Sequence, residues 1–148
     1  MKKKIVLLIL LLCFSLVGCK TQEEIYDDND RIAKNVDSNL YLKNITNKEK
    51  NNYEAEFEKF TGLDTIFTIK SDEDSTIKMK SNVSVNNDDF KVVLVNSNKE
   101  VINLIEGNFE GEVELPLKNG TNKVKIVSKG SEGEVSLEVE ENENISVR

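Results

Sequence analysis

Strict alternation of apolar and polar residues, turn-forming clusters roughly every ten residues, and short connections throughout predict an all-β fold. Such separation of the two faces is what antiparallel strands need when one side packs and the other is solvated. No connection in the C-terminal two thirds is long enough to demand a parallel crossover. The expectation is an antiparallel β-sandwich of about seven to eight strands, jelly-roll or Ig-like, over residues 52–148.

The elements follow in order. Tyr53, Ala55 and Phe57 alternate as in a strand, whereas Tyr53, Phe57 and Phe60 also fit one face of a helix; a first strand near 53–60 is the reading adopted. A second strand follows near 63–70. The clearest alternation sets Ile77, Met79, Ser81, Val83 and Val85 against Thr76, Lys78, Lys80, Asn82 and Ser84, which predicts a strand over 75–85. Phe90 to Val95 and Val101 to Ile105 are denser in apolar residues and read as more fully buried central strands near 89–96 and 99–105, with Val93 and Ile102 on outer faces.

Phe109, Gly111, Val113 and Leu115 against Glu110, Glu112 and Glu114 give a strand near 108–116. Val124 and Ile126 against Lys123 and Lys125, then Val135, Leu137 and Val139 against Glu134, Ser136 and Glu138, give the last two, near 121–128 and 133–140. Ser71-Asp72-Glu73-Asp74, Asn96-Ser97-Asn98-Lys99, Asn119-Gly120 and Gly130-Ser131-Glu132-Gly133 carry the turn chemistry between them.

The N-terminus is of a different kind. Lys2, Lys3 and Lys4 precede an aliphatic run from Ile5 to Val17, broken only by Cys13, Phe14 and Ser15, which has the build of a cleaved export signal and is short for a spanning helix. Leu16-Val17-Gly18-Cys19 resembles the lipobox of bacterial lipoproteins. The resemblance implies a signal peptide over 1–18, cleavage before Cys19, a diacylglycerol thioether on its sulfur, and a protein held at the extracytoplasmic face of the cell membrane. Two or three acyl chains hold a soluble domain stably where one does not.

Cleavage there would remove three of 20 basic residues and none of the 27 acidic ones, so the net charge would move from −7 to −10. An acidic surface lacks the basic stripe that phosphate recognition needs, which argues against a nucleic-acid partner. The chain has no histidine and no tryptophan, and its two cysteines are Cys13, in the signal, and Cys19. The usual general base and thiol nucleophile are therefore missing, as is any disulfide of the mature chain, and the expectation is not an enzyme. Any two carboxylates could converge as in a glycosidase, but most of the glutamates lie on the polar phase of strands, where solvation explains them. Tyr26, Tyr41 and Tyr53 all precede the main sheet, which argues against a sugar-stacking platform.

Residues 19–51 read as the lipidated cysteine followed by a polar tether. Ile25, Ile32, Val36 and Leu40 recur at helical spacing, so a short amphipathic helix docked on the domain is the alternative. Asp27-Asp28-Asn29-Asp30 fails as an EF-hand, because neither the loop glycine nor the closing glutamate is present. Four Asn-X-Ser/Thr triplets, at Asn44, Asn82, Asn119 and Asn144, read as coincidences of an Asn-rich chain.

Asp72 and Asp74 in one turn, and Asp88 and Asp89 in another, are the candidate metal ligands. Clustered hard oxygens suit calcium, and the two turns could share an ion at one end of the sandwich. The sequence from Leu115-Pro116 through Asn119-Gly120 and Lys123-Val124-Lys125-Ile126 to Gly133-Glu134-Val135 resembles the last strands of small β-sandwich domains in Gram-positive surface lipoproteins. That resemblance implies a binding or structural module with an envelope protein or component as partner, and no catalytic residues or cofactor. The alternative function is a calcium- or solute-binding accessory protein of the cell envelope.

Overall fold

The computed structural model describes residues 21–148. The signal segment and Cys19 lie outside the described residues. The described residues begin with a 3-10 turn (Glu23–Asp27) and a one-turn helix α1 (Asn29–Ile32), where the Asp28 side chain accepts from the Arg31 amide at 3.1 Å. Nine strands follow: β1 (Ser38–Leu40), β2 (Lys43–Lys48), β3 (Asn52–Ser71), β4 (Ser75–Val85), β5 (Phe90–Val95), β6 (Val101–Glu106), β7 (Phe109–Leu117), β8 (Gly120–Val139) and β9 (Ile145–Val147).

Two of these strands, β3 and β8, are 20 residues long and pair with each other along almost their whole length. Each bends midway and serves both layers of a sandwich. The register between them breaks at Phe57/Phe60 and Phe60/Thr61, as it does where extra residues enter one strand. Here Lys59 takes a φ of 51°, while Gly130 and Gly133 take 106° and 154°. At Gly133 any side chain would overlap the Ser84 carbonyl, so glycine is required for β8 to cross close to β4.

The first sheet runs β2, then the early arm of β3, the late arm of β8, β4 and β7. The second runs β1 and β9 end to end on the late arm of β3, then the early arm of β8, β5 and β6. Every pairing is antiparallel. The chain passes from the first sheet to the second between β4 and β5 and returns between β6 and β7, which is the jelly-roll path, so of the two sandwich types expected the jelly roll is the one formed.

The eight strands expected from the alternation are all present, with the first two joined in β3 and the last two in β8. Ile77, Met79, Val83 and Val85 face inward as expected, against Val135, Leu137 and Val139. At the bend the core is aromatic, with ring pairs at stacked and edge-on separations. The Phe57 ring lies 5.5 Å from that of Phe90 and 5.7 Å from that of Phe60, and Tyr41 stacks on Phe60 at 4.6 Å.

One expectation is corrected. Residues 21–51 are not a free tether: β1 and β2 extend both sheets at one edge, and the segment before them docks on the second sheet. Helical spacing singles out Ile25 and Ile32, which are fully buried, and also Val36 and Leu40, which are exposed. The helix is a single turn because strand pairing with β3 takes over at Ser38.

Candidate functional site: one covered face and one open face

The outer face of the second sheet is covered. Val93 and Val95 of β5, Val127 of β8 and Leu63 of β3 point outward, and Ile25, Tyr26 and Ile32 close over them as a strap. Ile25 and Ile32 are both fully buried in this contact. Burial of an isoleucine side chain stabilises by roughly 2 kcal/mol. The Tyr26 hydroxyl lies 3.2 Å from both the Asp88 carbonyl and Glu106 Oε1 and shares its one proton between them. Lys91 and Lys129 place their ammonium groups 4.4 and 4.6 Å from the Tyr26 ring centre, within cation–π reach. Lys129 also pairs with Asp27 at 2.7 Å. Burial first, and then the Glu106 carboxylate, push the Tyr26 phenol well above its ordinary range.

Beneath the strap lies Lys125, fully buried. Its Nζ donates to the Lys34 carbonyl at 2.6 Å, with Asp37 Oδ1 3.9 Å away, and burial lowers its pKa. Alternation assigns Lys125 correctly to the outer phase of β8. The outer phase is solvent only where nothing folds over it.

The outer face of the first sheet is open. Glu54 and Glu56 of β3, Asn82 and Ser84 of β4, and Glu134 and Ser136 of β8 line a shallow cavity of about 460 Å³ together with Ile45, Thr46 and Asn47 of β2. Across β4 the surface continues through Lys78, Lys80 and Glu138 to Glu110 and Glu112 of β7. Lys78 and Glu112 pair at 3.3 Å, and Lys43 pairs with Glu56. Such exposed pairs contribute little to stability. The face therefore presents carboxylates, amides and hydroxyls. None of the three tyrosines stands on it: Tyr53 points into the core, Tyr41 stacks on Phe60 and Tyr26 belongs to the strap.

The predicted calcium ligands do not converge. The loop holding Asp72 and Asp74 precedes β4 and the loop holding Asp88 and Asp89 follows it, so the 11-residue length of that strand separates them. At strand spacing that is about 35 Å. Asp74 is already engaged, accepting from the Asn119 amide and from Lys118 Nζ, both at 2.8 Å, and these contacts lower its pKa. Asp88 turns its carbonyl to Tyr26, and the Asp89 amide is bonded to Asn87 Oδ1. Among the described residues no three His, Cys, Asp or Glu side chains are grouped to hold a metal ion. These aspartates shape loops, as local side-chain to backbone bonding allows.

Among the described residues no helix is long and apolar enough to cross a membrane. No protein-family model matches the chain, and no curated protein matches it. Solved structures are similar at low identity. A family 35 carbohydrate-binding module from an environmental isolate shares 15% identity over 75% of this chain and 85% of its own, with a TM-score of 0.37. A mutant family 29 carbohydrate-binding module complexed with mannohexaose shares 8% over 76% and 82%, at 0.41. Drosophila melanogaster CENP-C bound to CAL1 shares 11% over 80% and 98%, at 0.36.

Proposed function

We propose that this chain is a lipoprotein cut before Cys19 and anchored by its acylated sulfur, displaying a non-catalytic jelly-roll binding module at the extracytoplasmic face of the cell membrane. The observation that carries the binding half is the inequality of the two broad faces. One is sealed by the strap, and the other is an open surface of Glu54, Glu134, Asn82, Ser84 and Ser136 beside the cavity. A surface of that chemistry suits a partner offering ammonium, guanidinium or amide donors, such as a basic face of an envelope protein.

The anchoring half rests on the lipobox. Two residues separate Cys19 from Gln22, where the domain is already held by a 3.5 Å bond from the Gln22 amide to Ser38 Oγ. The module then sits on its anchor with almost no tether.

Two experiments test the two halves. Metabolic labelling with a radioactive fatty acid should depend on Cys19, and label retained by Cys19→Ala would sink the anchor. A photo-crosslinking residue at Ser136 should give a discrete adduct in intact cells, and the same residue at Glu24 on the strap should not. Equal adducts at both positions, or none at Ser136, would refute the open face as the binding surface.

A further inference from the structure

The described residues leave four large apolar side chains strongly exposed, and all four lie within ten residues: Val36 (71%), Leu40 (62%), Leu42 (72%) and Ile45 (57%). They follow the edge that β1 and β2 add to the sandwich. Leu40 pairs with Thr61 at the rim of the second sheet, Tyr41 turns inward onto Phe60, and Leu42 emerges where the chain crosses to the first sheet, its amide bonded to the Glu58 carbonyl at 2.9 Å. From Val36 to Leu42 the row is about 20 Å long at strand spacing.

Mid-row stands Ser38, the residue that Gln22 contacts. Three residues at full extension reach about 10 Å, so an acyl group on Cys19 would enter the bilayer within that distance of Gln22, the residue that touches the row. Exposed apolar side chains grouped on one rim mark an interaction surface, and partition into the interface grows with apolar area. Lys34 and Lys59 are exposed near the two ends of the row. Asp37, the acid within the row, accepts from the Thr65 hydroxyl at 2.7 Å.

From these positions we infer that the rim carrying Val36, Leu40 and Leu42 rests in the lipid headgroup region, so that the sandwich stands on its β1–β2 edge. The inference rests on the anchor proposed at Cys19 and goes further, fixing how the domain is oriented. With the rim in lipid, both broad faces stand roughly upright from the membrane, and the open face of the first sheet is reached from the side.

The chain has no tryptophan, so Leu42→Trp and, on the far edge strand, Glu114→Trp each give a sole reporter. The protein from Cys19 to Arg148 contains every described residue, and its one thiol can be coupled to a maleimide-headgroup lipid in phosphatidylcholine vesicles. Coupling chemically makes the result independent of acylation in the cell, which the fatty-acid labelling reads separately. The Leu42→Trp emission should shift to the blue on coupling and be quenched by bromine-labelled acyl chains several-fold more than that of Glu114→Trp. Adding Leu40→Asp should remove both effects. Equal quenching at the two positions overturns the inference. So does a blue shift that appears in solution with rising protein concentration and no lipid, which would assign the rim to a second copy of the chain.

Discussion

The ammonium of Lys125 donates to the backbone carbonyl of Lys34 at 2.6 Å, joining the early arm of β8 to the end of the strap across 91 residues of sequence. A buried cation with one carbonyl partner and a carboxylate 3.9 Å away is an expensive latch, because desolvation opposes the charge. Lys125→Ala should destabilise the protein by about 2–4 kcal/mol, since it removes the stem's packing and leaves the Lys34 carbonyl unpaired. Lys125→Met should stay within about 1 kcal/mol of the parent, because it keeps the stem and relieves the desolvation. Urea unfolding distinguishes them, and equal losses in the two variants would show that the cation itself holds the strap.

The strap is the second place where a tether and a docked element behave differently. Its Ile32 is fully buried against the outer face of the second sheet. Ile32→Ala should cost about 2–4 kcal/mol locally, as for an isoleucine truncated in a packed site. Because the strap covers one face while the core lies between the sheets, the loss should appear as opening of residues 21–37 before global unfolding. Limited trypsinolysis at Arg31 and Lys34 reads that opening: slow in the parent, fast in the variant. Immediate cleavage in the parent would restore the free tether.

The strands are legible in the sequence because alternation is a local property, and the inward phase at Ile77, Met79, Val83 and Val85 needs no partner to be recognised. The bends in β3 and β8 are not, since they show only in the shifted register between the two strands and in backbone angles at Lys59 and Gly133. Alternation places Val93 and Ile102 on outer phases; the strap covers Val93, whereas Ile102, opposite Leu94, packs against the inner core instead. Two isoleucines seven residues apart are too sparse a pattern to separate a docked turn from a tether. Lys125 and the two aspartate loops fail for a common reason: what surrounds them comes from elsewhere in the chain. The open face is visible only as polar phases of separate strands, with nothing in the sequence to set β2 beside β3 or β8 beside β4.

Ser81 is the one polar residue at a fully inward, buried position of β4, and its Oγ has no partner among the described residues. An unsatisfied hydroxyl in an apolar layer costs about 1–3 kcal/mol. Ser81→Ala should therefore raise the melting temperature, with circular dichroism at neutral pH as the readout. A fall would mean that the hydroxyl has a bonded partner.

Calcium should leave the melting temperature unchanged at millimolar concentration. The two aspartate pairs lie at opposite ends of β4, and Asp74 is committed to Lys118 and Asn119. A rise that vanished in Asp72→Ala or Asp88→Ala would reinstate the ion-binding reading, since a ligand that binds only the folded state must stabilise it.

Alkaline pH should weaken the fold through its tyrosines. The Tyr41 hydroxyl donates to Asp64 Oδ2 at 3.1 Å, and burial, then the Asp64 carboxylate, hold the phenol far above its ordinary value of 10.0. Tyr53 is pushed up to about 12, mainly by burial, and Tyr26 also rises. A folded-state pKa above the unfolded one gives stability that is complete below pH 10.0 and is lost as pH climbs toward the folded value, because the unfolded phenol ionises first. Each such tyrosine then costs up to about 1.4 kcal/mol per pH unit above that point. Lys91 and Lys125 act with the opposite sign: burial depresses them, and their penalty fades as pH nears the ordinary lysine value of 10.5. Tyr41→Phe isolates one member of this balance. It should lose about 1 kcal/mol at neutral pH with the hydrogen bond to Asp64, and its stability should fall less steeply than the parent's in the alkaline range. Urea titrations at pH 8, 10 and 11.5 would measure both effects, and parallel curves for the two proteins would show that Tyr41 ionises as freely folded as unfolded.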